Sequence, residues 1–209
     1  MPEHGLKLVV GLGNPGPQYA CTRHNAGFWL VEALALRYGS IFRLEPKFRG
    51  ELCRIQVSSQ VIWLFKPLTF MNRVGLPVIS LAGFYKILPS NMLIAHDDLD
   101  LPPGTVRLKR SGGHGGHNGL RDLIRHLGVN NFLRLRLGIG HPGNSRDVTD
   151  YVLRRASEAD QQLIECAVDD AVREFPLLVE GQLEKAMHAL HSRQVDFPPA
   201  TKSNDISQQ

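Results

Sequence analysis

Short apolar runs punctuated by glycine and proline fill the first two thirds of the chain, and a helical stripe takes over in the last. Residues 6–10 form an apolar run ended by Gly11, which predicts a buried strand. Residues 26–38 carry Phe28, Trp29, Val31, Leu34 and Ala35 at spacings that suit a helix facing a core. The runs 52–57 and 61–65 flank Ser58-Ser59-Gln60 and predict a hairpin. Pro77 suits the first turn of a helix on which Val78, Leu81, Ala82 and Tyr85 recur. Residues 92–95 predict another buried strand, leading directly into an acidic loop. Residues 105–109 alternate, and Leu120, Leu123, Ile124 and Leu127 form a helical stripe. Between 133 and 139 leucine and isoleucine alternate with Arg134 and Arg136, the pattern of a half-buried strand with a basic outer face.

The last third reads as helical. Ser157 is placed to cap a helix whose stripe runs through Leu163, Ile164, Ala167, Val168, Ala171, Val172 and Phe175. A second helix follows around Leu183, Ala186, Met187 and Leu190. Strands alternating with helices predict an α/β fold, and the hairpin makes its twisted, helix-flanked sheet mixed. No repeat or linker divides the chain. One domain over residues 1–196 is expected, followed by a disordered tail at 197–209, where two prolines precede Ser, Thr, Asn and Gln.

Composition narrows the function. With 43% apolar and 21% charged residues, the 209-residue chain can bury a core, so global disorder is excluded. No apolar stretch approaches the ~18 residues of a membrane span, and the N-terminus lacks the basic-then-apolar pattern of a secretory signal. Cys21, Cys53 and Cys166 are odd in number and far apart, which fits a reducing compartment and a cytoplasmic protein. The net charge of +4 hides a strong asymmetry. Residues 105–146 hold eight basic side chains and a single acid, Asp122, whereas residues 147–209 hold six basic and twelve acidic ones. A basic block of this kind, with four of the nine histidines inside it, suits a polyanionic partner.

Candidate chemistry gathers in the loops. Gly11-Leu12-Gly13-Asn14-Pro15-Gly16 is a literal GxGxxG, but it does not open a helix and no acid ends a second strand about 20 residues on. Its better reading is a turn holding Asn14 at the carboxyl end of a strand. His24 and Asn25 precede the first long helix. Lys66-Pro67-Leu68-Thr69-Phe70-Met71-Asn72 again delivers an amide ahead of a helix, and His96-Asp97-Asp98-Leu99-Asp100 supplies carboxylates. In 111–119, glycines around His114, His117 and Asn118 free backbone amides to approach an anion at a helix start. A metal site of His96, His114, His117 and the aspartates is weakened because a glycine-rich chain gives HGGH no fixed ligand geometry. The metal-free alternative is a histidine base, a carboxylate orienting it, and amides binding a substrate.

Together GLGNPGPQYACTRHNAGF (11–28), KPLTFMNRVG (66–75), HDDLDLPPG (96–104), GGHGGHNGL (112–120) and RLRLGIGHP (134–142) strongly resemble bacterial-type peptidyl-tRNA hydrolases. Five motifs in family order cover about residues 6–142, with Val74 a departure where a small or hydroxylated residue is expected. The resemblance implies a monomeric α/β enzyme, needing no cofactor or metal, that cleaves the ester between a peptide and the 3′-terminal ribose of tRNA. It implies His24 as catalytic base and Asp97 as its partner. Asn14, Asn72 and Asn118 then line the peptide-ester cleft, with Tyr19, Met71 and His117 beside them. The basic block, including Lys109, Arg110, Arg134 and Arg136, gains the acceptor arm as its partner. Two rival readings are a metal-dependent phosphoesterase and a catalytically inert RNA-binding module.

Overall fold

The computed structural model describes residues 5–192, so the expected tail at 197–209 lies outside the described residues. In chain order the elements are β1 (Leu8–Gly11), α1 (Ala26–Arg37), β2 (Arg43–Glu45), β3 (Gly50–Val57), β4 (Gln60–Pro67), α2 (Gly75–Phe84) and β5 (Met92–Asp98). They continue with β6 (Val106–Arg110), α3 (Asn118–Leu127), β7 (Leu133–Gly138), α4 (Val148–Val152), α5 (Glu158–Val179) and α6 (Leu183–His191). The strands form one seven-stranded sheet in the order β2-β3-β4-β1-β5-β7-β6. The pairs β4/β1, β1/β5 and β5/β7 are parallel, while β2/β3, β3/β4 and β6/β7 are antiparallel. The mixed α/β sheet predicted by the sequence is therefore present.

Each central strand sends alternate side chains into two cores. Val9, Leu93 and Ala95 join Leu30, Val31 and Leu34 of α1 and Ile164, Ala167 and Phe175 of α5 on one face. Leu8, Val10, Met92 and Ile94 join Val78 and Leu81 of α2 and Leu120 and Leu123 of α3 on the other. Helices on both faces explain why the central strands read as continuous apolar runs rather than alternations. Val74 is fully buried in the second core, so the departure at that position is absorbed by packing.

The chain after β1 passes to one side of it and the chain after β4 crosses to the other, where β5 pairs. Such a switch leaves a crevice at the carboxyl ends of β1 and β5, where α/β proteins place ligands. The glycines of the first motif serve this junction. A Cβ on Gly27 would collide with the Ala95 carbonyl oxygen and lie 2.5 Å from that of Leu12. Only glycine lets the first turn of α1 sit directly on the ends of both strands.

Two expectations need correction. The strand at 92–95 does not give way to an acidic loop: β5 runs on to Asp98, and His96 and Asp97 are buried within it. Their polarity ended the apolar run, but each is hydrogen-bonded, which is what permits burial. The strand around Arg134 has no open basic face. Arg134 is only 3% exposed because the loop at 112–113 roofs that side of β7, and Arg136 is half-buried in an ion pair with Asp98. The helix capped by Ser157 is present as α5 and passes through Pro176 to Val179, held there by the burial of Phe175, Leu178 and Val179. The short β2 and α4 were not foreseen. Among the described residues no helix is long and apolar enough to cross a membrane.

Candidate active site

The loop after β1 places Asn14, which is locked by another asparagine. Asn25 sits at the N-cap position of α1, yet its side chain does not cap the helix. Instead its Oδ1 accepts the Asn14 backbone N–H at 2.8 Å and its Nδ2 donates to the Asn14 carbonyl at 3.0 Å. The Asn14 side chain in turn accepts the Met71 N–H on Oδ1 at 2.8 Å, which leaves its NH2 end as the donor available to a ligand. Sequence reasoning noted Asn25 but gave it no role, since an amide before a helix ordinarily reads as a cap.

His24 lies in a 3-10 turn at Arg23–Asn25, one step ahead of α1. Its Nδ1 is 2.8 Å and 2.9 Å from the two carboxylate oxygens of Asp97 at the end of β5. His117 approaches the same carboxylate from the other side, with Nε2 3.0 Å from Oδ1. Asp97 is 2% exposed. Burial would raise its pKa, but the two imidazoles outweigh that and hold it below the ordinary carboxylate range. An ionised carboxylate only accepts, so His24 donates from Nδ1 and His117 from Nε2.

That assignment distinguishes the two rings. The Nδ1 of His117 accepts the backbone N–H groups of Gly119 and Leu120 and so caps α3. Both nitrogens of His117 are committed. His24 keeps the lone pair of Nε2 for the cleft that its ring lines. Burial alone would depress the His24 pKa; the charge and hydrogen bond of Asp97 together raise it above the usual histidine value. His96, beneath them, donates from Nδ1 to the Asp97 carbonyl at 2.7 Å, while its buried Nε2 has no partner. An unpaired buried nitrogen of this kind costs about 1–3 kcal/mol, and burial, with His117 nearby, pushes the His96 pKa down to about 4.

These groups open onto a cleft of about 1030 Å³. Asn14, Tyr19, His24, Met71, Asn72, Asp97, His117 and Asn118 all line it, as do Lys109, Arg134 and Arg136. Tyr19 packs edge-on against Phe70, ring centroids 6.2 Å apart, on one wall. Asn118 accepts from Arg121 on Oδ1 at 2.9 Å, which also leaves its NH2 end free to donate. Lys109 is exposed, whereas Arg110 is exposed but does not line the cleft. Arg134 donates to the carbonyls of Gly112 and Gly113 and stacks over Phe132, so it holds the glycine-rich loop from behind. The sequence did not single out Leu99, His141, Val148, Thr149 or Val152, which complete the far wall. Only the folding of α4 over the crevice brings the last three there.

His24, Asp97 and His117 are the residues among those described whose ligand atoms converge, lying within 4.8 Å of one another, as a metal centre requires. Their nitrogens face the carboxylate at hydrogen-bonding distances, and His117 would have to abandon either Asp97 or the α3 cap to turn toward an ion. The arrangement fits a hydrogen-bonded relay better than a coordination sphere.

A family model described as peptidyl-tRNA hydrolase matches residues 8–198. The chain is 54% identical over 188 residues to the peptidyl-tRNA hydrolase of Tolumonas auensis, covering 90% of this chain and 95% of that protein. It is 52% identical over 190 residues to that of Halorhodospira halophila, covering 91% and 98%. Among solved structures, peptidyl-tRNA hydrolase from Acinetobacter baumannii superposes with a TM-score of 0.89 at 48% identity, covering 92% of this chain and 98% of that one.

Proposed function

The chain belongs to the peptidyl-tRNA hydrolase family, and on that premise we propose that it hydrolyses the ester joining a peptide to the 3′-terminal ribose of tRNA, with His24 as general base and no required metal. The observation that carries this reading is the 2.8 Å contact of His24 Nδ1 with the Asp97 carboxylate in a ring that lines the cleft, an arrangement that leaves Nε2 as the proton acceptor. A water there gives its proton to Nε2 as its oxygen attacks the ester carbonyl. The tetrahedral intermediate then expels the ribose oxygen, which takes the proton back from the imidazolium. Asp97 keeps the ring oriented and stabilises its transient charge. The NH2 groups of Asn14 and Asn118 supply donors for the developing oxyanion and the peptide carbonyls, and Asn72 adds a third amide at the rim. Tyr19 and Met71 give the peptide an apolar surface. Free Cys21, Cys53 and Cys166 support a cytoplasmic setting.

The test is release of peptide from peptidyl-tRNA, followed on a gel, with the protein exhaustively chelated and the tRNA refolded in monovalent salt. Hydrolysis at the untreated rate is expected. Loss of activity restored by one divalent ion would favour the metal-dependent phosphoesterase reading, and no turnover under any condition would favour an inert RNA-binding module.

Charge at the rim gives the tRNA its grip. Lys109 is exposed, and Arg136, held by Asp98 through Nε at 2.6 Å, keeps its terminal nitrogens for a phosphate. Arg134 serves the same partner indirectly, by fixing the loop at 112–113, and Arg110 extends the basic surface beyond the cleft. Lys109→Glu combined with Arg136→Gln is expected to weaken tRNA binding and to lower the slope of log K against log salt by about one for each phosphate no longer neutralised. Turnover at saturating substrate should change far less. A slope equal to wild type, measured by filter binding, would show both side chains to be solvated bystanders.

A further inference from the structure

β5 outruns its neighbour. The Leu12 N–H donates to the Ala95 carbonyl at 2.9 Å, the last such bond between the two segments. Two residues on, the Asp97 carbonyl points to the same edge, since carbonyls along a strand alternate. There β1 has already turned away, and the Asn14 N–H that a longer strand would offer goes to Asn25 instead. What meets the Asp97 carbonyl is the imidazole of His96, through Nδ1–H at 2.7 Å.

The same ring stands edge-on to His117, centroids 5.1 Å apart at 71°. It is 3% exposed, and its other nitrogen is buried without a partner. A leucine would fill this space with no unpaired nitrogen. The imidazole is therefore explained by what Nδ1 does, and what Nδ1 does is replace a missing strand at the residue that orients the base. The charged and titratable groups facing it are Asp97 and Asp98 on its own strand and His117 from the start of α3.

We propose that His96 is a positioning residue for ester hydrolysis: its Nδ1–H fixes the Asp97 peptide, and thereby the carboxylate, between His24 and His117. This rests on the reading of His24 and Asp97 as the catalytic pair. His96 borders the cleft but is only 3% exposed, and the one hydrogen bond of its ring is to the Asp97 carbonyl, so it acts through Asp97. A carboxylate displaced by even a fraction of an ångström changes the aim of the His24 ring, and misplacements near 1 Å can cost about 100-fold in rate.

The experiment compares His96→Leu with His96→Asn, whose side-chain amide reaches the position of Nδ1 but not that of Nε2. Wild type and His24→Ala run beside them. His96→Leu is expected to lose about 10- to 100-fold in kcat with little change in KM. The acidic limb of its pH–rate profile should move to lower pH as the grip of Asp97 on His24 loosens. His96→Asn should recover most of both. A leucine variant with wild-type kcat and limb, or an asparagine variant no better than leucine, overturns the proposal. Full activity in His24→Ala would instead overturn the underlying assignment of the base, so the two failures are distinct. Should neither His96 variant fold, 15N chemical shifts of His96 in the wild-type protein decide: a proton on Nδ1 is expected, and a proton on Nε2 refutes the contact.

Discussion

A folded His24→Ala protein is expected to release peptide from peptidyl-tRNA about 10²–10⁴-fold more slowly than wild type, the usual worth of a positioned general base. The loss should fall on kcat, because the ring acts on the water and lies off the surfaces that bind peptide and phosphate. Nothing nearby can take over. His117 lies 4.9 Å from His24 between ring centroids, but its Nε2 proton is given to Asp97 and its Nδ1 holds the start of α3. His96 faces the carbonyl of Asp97 with one nitrogen and buries the other. Folding should survive, since the side chain fills a polar corner at the edge of the cores; near-native melting and circular dichroism check this. Turnover within a few-fold of wild type would remove His24 from the mechanism.

The parts of this site that were legible in the sequence are those that chain neighbours determine. Residues 6–10 could only be a buried strand, and the helix that follows could only start after the polar stretch ending at Asn25, so His24 had to sit at a strand-to-helix junction. The hairpin and the Ser157 cap, which accepts the Asp160 N–H at 3.1 Å, are local in the same way. What failed to show is set by contacts between distant segments. Asp97 read as a loop acid because hydropathy stops at Ala95; its place within β5 depends on two imidazoles, one 73 residues earlier and one 20 residues later. Arg134 read as an outward charge because alternation says only which face a side chain takes. It does not say that a glycine-rich loop will fold over that face and accept both ends of the guanidinium. Asn25 was given no role for want of any sign that the backbone of Asn14 needed both its donor and its acceptor. The wall formed by Val148, Thr149 and Val152 carried no signal at all, since α4 is five residues long and gains its place by packing.

Asp97→Asn is expected to be nearly as damaging as loss of the base itself, through the tautomer rather than through distance. Two N–H donors converge on the wild-type carboxylate, from His24 and from His117. An amide of the same shape keeps one acceptor oxygen and puts an NH2 group in place of the other, and Nδ1 of His24 lies against both positions, at 2.9 Å from Oδ1 and 2.8 Å from Oδ2. His117 cannot yield, because moving its proton to Nδ1 would sacrifice two capping bonds to α3. The amide oxygen therefore turns to His117 and the NH2 group to His24. With an NH2 group at the nearer position, Nδ1 of His24 is favoured as an acceptor, which moves its proton to Nε2 and blocks the lone pair that takes the proton from water. A fall of about 10²–10⁴ in kcat follows. Electrostatics adds a second signature with a definite sign. Burial is the largest influence on the His24 pKa and acts downward; only Asp97, by charge and hydrogen bond, lifts it above 6.5. Without the carboxylate the residual acidic limb should drop below that value, so the weak remaining activity persists to lower pH than in wild type. Asp97→Glu keeps the charge but misplaces it: activity should fall while the limb moves less. If Asp97 only braced its strand, stability would change and the limb would stay. NMR titration of the His24 ring in wild type and Asp97→Asn separates these outcomes, and equal pKa values would break the pair.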